Sequence, residues 1–578
     1  MNTTKELTGY PSIDKPWLKY YSDEAIHSKI PECTMYEAIY ENNKDHLQDI
    51  ALNYFGHRIT YGELFANIEK TAKAFWNLGV RSGDVVMLCL VNMPETVYTI
   101  YALNRLGAII NLVHPPKSEN ELATYFSECE ISYVVTIDAV YPVLRKLTAK
   151  LKIKNVVIPV ANAMPFITKT IYILKNNKRD TFLEEEIILW KDFLDKGKGA
   201  SPKYVSYQKE QCFILAHTGG TTGNPKTVML SDDNLNSVMQ GYQYLGIPFE
   251  RKHTYFNDLP PFIIYGLTLA IHVTLSYGLE VILYPMFDSK GFPKQFRKYR
   301  PNHFSALTDH LEYLADSSLL KSMDLDFLIS AGVGGDTVNE KIERKVNTFL
   351  KEHNCAYQVC KGYGMTELAG TAVCTSPVAN AIGSVGIPLV HNTVKIMKLD
   401  SEDEATYDEL GEIWISGPSI MLGYYQNENA TKEIIKIDKT GKRWIHTGDL
   451  GYISNEGLLF HKGRIRRIYL TSAEGQPAKI FPVRIEEVIN TLEEVETCAV
   501  VGRHMQDSQY YEAVGFVVLK EEISTSKQMI DKLTQTCEKE LPFYMVPVAW
   551  YFVNELPRTP VGKVDFRRLE DEAEEGAR

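Results

Sequence analysis

Residues 83–113, GDVVMLCLVNMPETVYTIYALNRLGAIINLV, decide the fold class. A Gly-Asp turn leads into a short run rich in Val and Leu, which reads as a buried strand because both of its faces are apolar. Pro94 then opens a helix reaching Leu106, since proline is tolerated only in a first helical turn. GAIINLV follows as a second strand. Strand, helix and strand within some thirty residues form the unit of a mostly parallel sheet.

Upstream, ITYGEL (59–64) starts another helix. Thr60 is its predicted N-cap, and apolar positions recur at helical spacing to Leu78. Downstream, the segment 175–203 is polar and reads as a surface connection. Beyond residue 463 the pattern becomes a compact α+β unit, with helices at 485–492 and 526–540 and strands at 497–501, 513–519 and 549–553. A polar tail rich in acid, EDEAEEGAR, ends it. The expected architecture is α/β, with a large multi-sheet domain over residues 1–463 and a small lid domain over residues 464–578.

The 578 residues include 62 Lys+Arg and 73 Asp+Glu, a net charge of −11, with 44% apolar residues. An acidic chain without a long basic run is a poor nucleic-acid binder. Nine scattered cysteines with no C-x-x-C pair argue against zinc or a disulfide framework and favour a reducing, cytoplasmic setting. No secretory signal is expected from the first residues, MNTTKELTGY. From Leu259 to Leu279 there is no charged residue, but Pro260, Pro261, Gly266, His272 and Gly278 interrupt the run, so a buried helix rather than a membrane span is expected.

The chemistry concentrates in QCFILAHTGGTTGNPKTVMLSDDNL (211–235). An apolar strand runs into Thr218, Gly219, Gly220, Thr221, Thr222, Gly223, Asn224, Pro225 and Lys226. Three glycines let successive N–H groups face one concavity, threonine hydroxyls add donors, and Lys226 adds a charge, all suited to phosphate oxygens. The spacing does not fit a Walker A loop. GVGGDT (332–337) likewise fails the dinucleotide pattern G-x-G-x-x-G.

This loop resembles the T-S-G-T-T-G-x-P-K signature of the adenylate-forming superfamily, which includes acyl-CoA synthetases, peptide-synthetase adenylation domains and firefly-type luciferases. Gly219 stands where serine is usual. ITYGEL, NMPE, GYGMTE, GSVGIP, GEIWISGP, HTGDLGYISNEGLLFHKGR and LPRTPVGKVDFRRL extend the likeness, in order, along nearly the whole chain. The resemblance implies that Thr218–Lys226 covers the leaving phosphates of ATP and that Gly334 and Gly335 lie along adenine. Tyr363 would stack on the base, Thr366 would bond the α-phosphate and Glu367 would hold Mg²⁺. Asp449 would grip the ribose with Arg464 beside it, and Lys563 would be the catalytic lysine of the lid, which pivots at Arg466. His217 and His446 are expected to be structural.

Three departures from the family pattern bear on substrate and acceptor. Arg466-Arg467 stands where Lys or Asp and then an acidic residue are usual. TSAEGQPAKIFPVRIEE (471–487) lengthens the post-hinge hairpin and keeps one glycine, Gly475. PPFIIYG (260–266) puts Ile263 at a common histidine position. A pocket bounded by Phe262, Ile263, Ile264, Tyr265, Leu307 and Val333 would be apolar and would take a fatty or aromatic carboxylic acid. The expected reaction joins that acid to coenzyme A. The alternatives are a carrier-protein thiol as acceptor, or a nucleotide-binding protein without catalysis.

Overall fold

The computed structural model describes residues 7–115, 118–176, 187–218, 226–285, 287–335, 338–474, 476–505, 508–559 and 563–576. The deciding stretch folds as read. Val85–Cys89 is buried throughout, Pro94–Leu106 is a helix, and Ile109–Leu112 pairs parallel with the first strand. The upstream helix Tyr61–Leu78 carries a capping box in which Thr60 and Glu63 satisfy each other's backbone N–H groups.

Among the described residues, these strands belong to an eight-stranded sheet. It is parallel across its centre and closes on one edge with the antiparallel hairpin Cys212–His217/Thr227–Ser231 and the short strand Gly423–Tyr424. A nine-stranded sheet carries Thr254–Asn257, Glu280–Leu283, His303–Ala306, Ser330–Gly334 and Cys360–Tyr363 as parallel neighbours. A five-stranded antiparallel sheet contains Arg443–Ile453 and Leu459–Arg464. One large core joins all three sheets, from Ile110 and Leu283 to Ile413 and Ile445.

After Arg464 a single turn, Ile465–Arg467, leads into a smaller α+β unit. Its three-stranded sheet, Val495–His504, Tyr511–Leu519 and Ala549–Phe552, packs against the helices Pro482–Ile489 and Lys527–Glu540 through Ile485, Ile489, Leu533 and Cys537.

Two expectations are corrected. Segment 175–203 is not merely polar connection. Ile187–Leu189 adds a strand to the eight-stranded sheet, and the helix Trp190–Lys196 buries Trp190 and Phe193. Only two aromatic residues three apart carry that signal among charges. The acidic tail is likewise a helix, Phe566–Glu575, with Asp565 as N-cap. Leu569 and Ala573, four apart, bury one stripe of it against the other face of the small sheet. The uncharged run is a buried helix, Ile264–Ser276, with a π-type segment at Thr268–Val273. Among the described residues, no helix is long and apolar enough to cross a membrane.

Candidate active site

The hairpin Cys212–His217/Thr227–Ser231 positions the phosphate loop. Its mouth is pinned where Thr218 N–H donates to the Lys226 carbonyl at 2.9 Å and Lys226 N–H donates to Thr218 Oγ1 at 3.0 Å. Gly219, Gly220, Thr221, Thr222 and Gly223 lie outside the described residues. Beneath the mouth, His217 contacts Asn111 Oδ1 at 2.7 Å and Thr227 Oγ1 at 3.2 Å. His446 lies against Trp414, with ring centroids 3.5 Å apart.

The segment after the strand Cys360–Tyr363 is where the three sheets meet. Tyr363, on the nine-stranded sheet, donates its phenol to Asp449 Oδ2 at 2.7 Å on the five-stranded sheet. Glu367, four residues on, accepts a 2.7 Å hydrogen bond at Oε1 from Tyr424, on the edge of the eight-stranded sheet. The chain can fold this tightly because Gly364 has no side chain, as a Cβ there would sit 2.3 Å from the Gly370 carbonyl. Thr366 begins the one-turn helix Thr366–Leu368 between the two contacts.

Asp449 is the electrostatic centre of this junction. Burial pushes its carboxyl up, but the hydrogen bond and charge of His461, with Arg464 and Tyr363, outweigh that and hold it below the ordinary aspartate range. Arg464 Nε lies 2.9 Å from Asp449 Oδ1, and His461 Nε2 lies 3.6 Å away. Glu367 shows the opposite balance. Burial raises its carboxyl above the usual range despite the Tyr424 hydrogen bond. A buried carboxylate with such a pKa favours a bound cation as counter-charge, and one carboxylate plus substrate phosphates is the normal donor set for magnesium. The donor chemistry at Glu367 fits that metal. Lys226 Nζ sits 4.9 Å from the Tyr424 ring centroid, so one tyrosine touches both the phosphate-loop lysine and the metal-binding candidate.

Gly334 and Gly335 end the neighbouring strand. Gly335 has φ +83°, and Leu307 Cδ2 lies 3.4 Å from where its Cβ would be. Two residues beyond Leu307, Asp309 Oδ1 accepts an ion pair from Arg558 Nη2 at 2.8 Å. Arg558 is bridged to Val564 across the turn that holds Lys563, where Thr559 N–H donates to the Lys563 carbonyl at 2.7 Å. The lysine-bearing turn is therefore tethered beside the Leu307–Gly335 contact. Lys341 adds a second tether, donating to the carbonyls of Leu492 and Val495 at 3.1 and 2.5 Å. Pro560, Val561 and Gly562 lie outside the described residues.

At the expected pivot, Arg466 is exposed. Its neighbour Arg467 is gripped by the small unit. It pairs with Glu486, donates to the Val500 carbonyl at 3.0 Å and lies over the Phe566 ring at 3.7 Å. The hairpin Tyr469–Ala473/Gln476–Ile480 follows in full register around Gly475, itself outside the described residues.

Two of the residues expected to bound the acyl pocket line one small cavity. A cavity of about 10 Å³, room for one water, is lined by Tyr265 and Val333 but also by Tyr242, Tyr255, Ser305 and Cys360. Ile247, Phe249 and Leu269 keep the lining largely apolar, and the tyrosines and Ser305 add hydroxyls to it. Phe262 instead stacks edge-on to His114, with centroids 4.9 Å apart. Tyr424, His461, Tyr242 and Tyr255 were not foreseen, because nothing in their local sequence distinguishes them from core aromatics.

Residues 39–425 match the model of a family described as AMP-binding enzyme, and residues 484–563 match the AMP-binding enzyme C-terminal domain. A long-chain-fatty-acid–CoA ligase of Bacillus subtilis (strain 168) is 26% identical, covering 97% of this chain and 98% of that protein. A probable 4-coumarate–CoA ligase 1 of Dictyostelium discoideum is 28% identical, covering 87% of this chain and 88% of that protein. The crystal structure of ATP-bound MatB from Rhodopseudomonas palustris shares the fold, with a TM-score of 0.79 at 20% identity over 94% of this chain and 100% of that one.

Proposed function

The chain belongs to the AMP-binding enzyme family, and from that premise we propose that it is an acyl-CoA synthetase acting on a fatty or aromatic carboxylic acid. A carboxylate oxygen of the acid attacks the α-phosphorus of ATP, and the bond to pyrophosphate breaks. The thiol of coenzyme A then attacks the carbonyl of the acyl-adenylate, and AMP leaves. The observation that carries this reading is the convergence of three sheets at Tyr363–Glu367, where Asp449, Arg464 and Tyr424 bond to it directly or through one another.

Each residue answers a demand of the first step. Two anions must be held together while charge develops on the phosphates, and water must be excluded. Lys226 and the loop from Thr218 to Gly223, which includes Gly219, Gly220, Thr221 and Thr222, would receive the β- and γ-phosphates. Thr366 would donate to the α-phosphate. Glu367 would hold Mg²⁺, which when bound supplies positive charge to the phosphate oxygens. Asp449 and Arg464 would fix the ribose, and Gly334, Gly335 and Tyr363 would bound the base. Lys563 would contact both the attacking carboxylate and the α-phosphate, so it favours the transition state over either reactant. Residues 464–578 would act as a lid pivoting at Arg466 between the half-reactions.

The substrate class is supported by the CoA-ligase names of the relatives. The altered hairpin after the hinge keeps a carrier-protein thiol as the competing acceptor.

The test is carboxylate-dependent exchange of labelled pyrophosphate into ATP over fatty, aryl and dicarboxylic acids, followed by addition of coenzyme A or a phosphopantetheinylated carrier protein. Exchange with fatty or aryl acids and release of AMP on adding coenzyme A are expected. Exchange completed only by the carrier would transfer the assignment to that acceptor. Absence of exchange with every acid would favour a nucleotide-binding protein without catalysis.

A further inference from the structure

The helix Phe166–Asn176 is turned inside out. Phe166, Ile167, Ile171, Ile173 and Leu174 are 83%, 73%, 55%, 44% and 75% exposed. Inward, Tyr172 packs on the main core, and Lys169 lies close enough to the buried Glu95 to act on its charge. An ordinary surface helix buries its apolar stripe and shows water its polar face. Here the exposed apolar positions form one continuous arc. The one polar residue within that arc, Thr170, turns its hydroxyl back to the Phe166 carbonyl at 2.8 Å. Contiguous exposed apolar surface of this kind marks a docking face rather than scattered surface residues.

The charge around the helix names the partner. Between Ala139 and Arg179 the sequence holds nine Lys/Arg and no Asp or Glu, a basic stretch bounded by Asp138 and by Asp180 and Glu184–Glu186, within a chain of net charge −11. On the helix itself, a 100° step per residue sets positions 169 and 175 on opposite borders of the apolar arc. An apolar helix face in a basic stretch, too short to span a bilayer, fits a helix lying in the plane of an anionic lipid surface. A second copy of the chain is a poorer match, because it would set two basic stretches against each other.

We propose that the helix Phe166–Asn176 docks this protein on anionic membranes, with its apolar arc in the headgroup–acyl boundary. The inference does not depend on the proposed reaction, because its readout contains neither ATP nor an acid. The full-length protein is sedimented with phosphatidylcholine vesicles containing 30 mol% phosphatidylglycerol (an order-of-magnitude physiological anionic content) and with phosphatidylcholine alone, at low and high salt. Binding to the anionic vesicles is expected to be at least about tenfold tighter than to the neutral ones and to weaken with salt. Ile171→Glu/Leu174→Glu should abolish it without moving the thermal midpoint, since both side chains are solvent-exposed. Lys175→Gln should lower only the preference for anionic vesicles. Failure of the wild type to bind either vesicle, or equal binding by wild type and the double variant, would overturn the proposal. So would a double variant that converts a dimer to a monomer in velocity sedimentation while vesicle binding stays unchanged.

Discussion

The Tyr424 hydroxyl and the Glu367 carboxylate are joined by a 2.7 Å hydrogen bond that ties an edge strand of one sheet to the turn ending a strand of another. The same ring faces Lys226 Nζ at 4.9 Å, so the two residues proposed to meet phosphate and metal share one tyrosine. Tyr424→Phe keeps the ring and removes the donor. A hydrogen bond to a charged group contributes about 1.5–3 kcal/mol, so adenylation measured by pyrophosphate exchange should slow roughly ten- to a hundredfold. Tyr424→Ala should be worse, because it frees Lys226 as well. A rate unchanged in the Phe variant would remove Tyr424 from the site.

Asp449 supports a second prediction. It bridges Tyr363 and Arg464 from a position almost without solvent exposure. Asp449→Asn keeps the shape but loses the charge that balances Arg464. The expected signature is a rise of about tenfold or more in KM for ATP with a smaller effect on kcat, because a ribose contact is made alike in ground and transition states. A fall in kcat alone would contradict a ribose-binding role.

What could be read from sequence divides along physical lines. The βαβ stretch around Val85–Leu112 was legible because both of its strands are apolar throughout and Pro94 punctuates them. The strand Cys212–His217 that leads into the glycine-rich segment was legible from its apolar run. The helix Phe566–Glu575 was hidden because Leu569 and Ala573 alone carry its buried stripe. Tyr424 was hidden for a different reason. Its partner Glu367 is 57 residues away in the chain, and no local pattern announces a contact between two sheets. The hydroxyl-lined cavity is of the same kind, assembled from Tyr242, Tyr255 and Ser305 on separate elements.

The buried His272 predicts a pH dependence of stability. It lies between Tyr101 and Asn236, and burial drives its imidazole down to about 3. In the unfolded chain a histidine titrates near 6.5, so below that pH the unfolded state takes up a proton that the folded state refuses. The stability tied to neutral His272 is therefore complete above about pH 6.5 and is lost progressively as pH falls toward 3. At pH 5 the loss should be about 2 kcal/mol. Denaturant midpoints from pH 7.5 to pH 4.5 would reveal it, a range chosen to straddle roughly the unfolded pKa. His272→Gln should flatten the curve but not level it, because burial holds His303 at about 3 as well.

Arg467 is the anchor of the small unit next to the pivot. Its guanidinium is paired with Glu486, hydrogen-bonded to the Val500 carbonyl and stacked on Phe566. Removing it leaves Glu486 without its partner in a site where both side chains are largely buried. Such a loss costs about 3 kcal/mol. Arg467→Ala should lower the unfolding midpoint of the C-terminal unit. Arg467→Lys should rescue little, since an ammonium cannot reproduce the stacked, forked geometry. Full rescue by lysine would mean that charge alone is what the position requires.

The Lys563 turn yields the prediction that separates positioning from chemistry. Lys563→Ala removes the proposed transition-state donor, and the loss of one such donor slows a reaction about a hundredfold or more. Adenylation should fall by that factor, while coenzyme A transfer from supplied acyl-adenylate survives, because the second step needs no charge at the carboxylate–phosphorus bond being formed. Arg558→Ala acts differently. It deletes the ion pair to Asp309, whose partners are 39% and 23% exposed, and a pair that open to solvent contributes no more than about 1 kcal/mol. Its effect on adenylation should therefore stay within about fivefold, and Asp309→Asn should match it. In the double variant Arg558→Ala/Asp309→Asn the two losses should not add, since both remove the same contact. A hundredfold loss in Arg558→Ala, or equal damage to both half-reactions in Lys563→Ala, would move the chemistry away from this lysine.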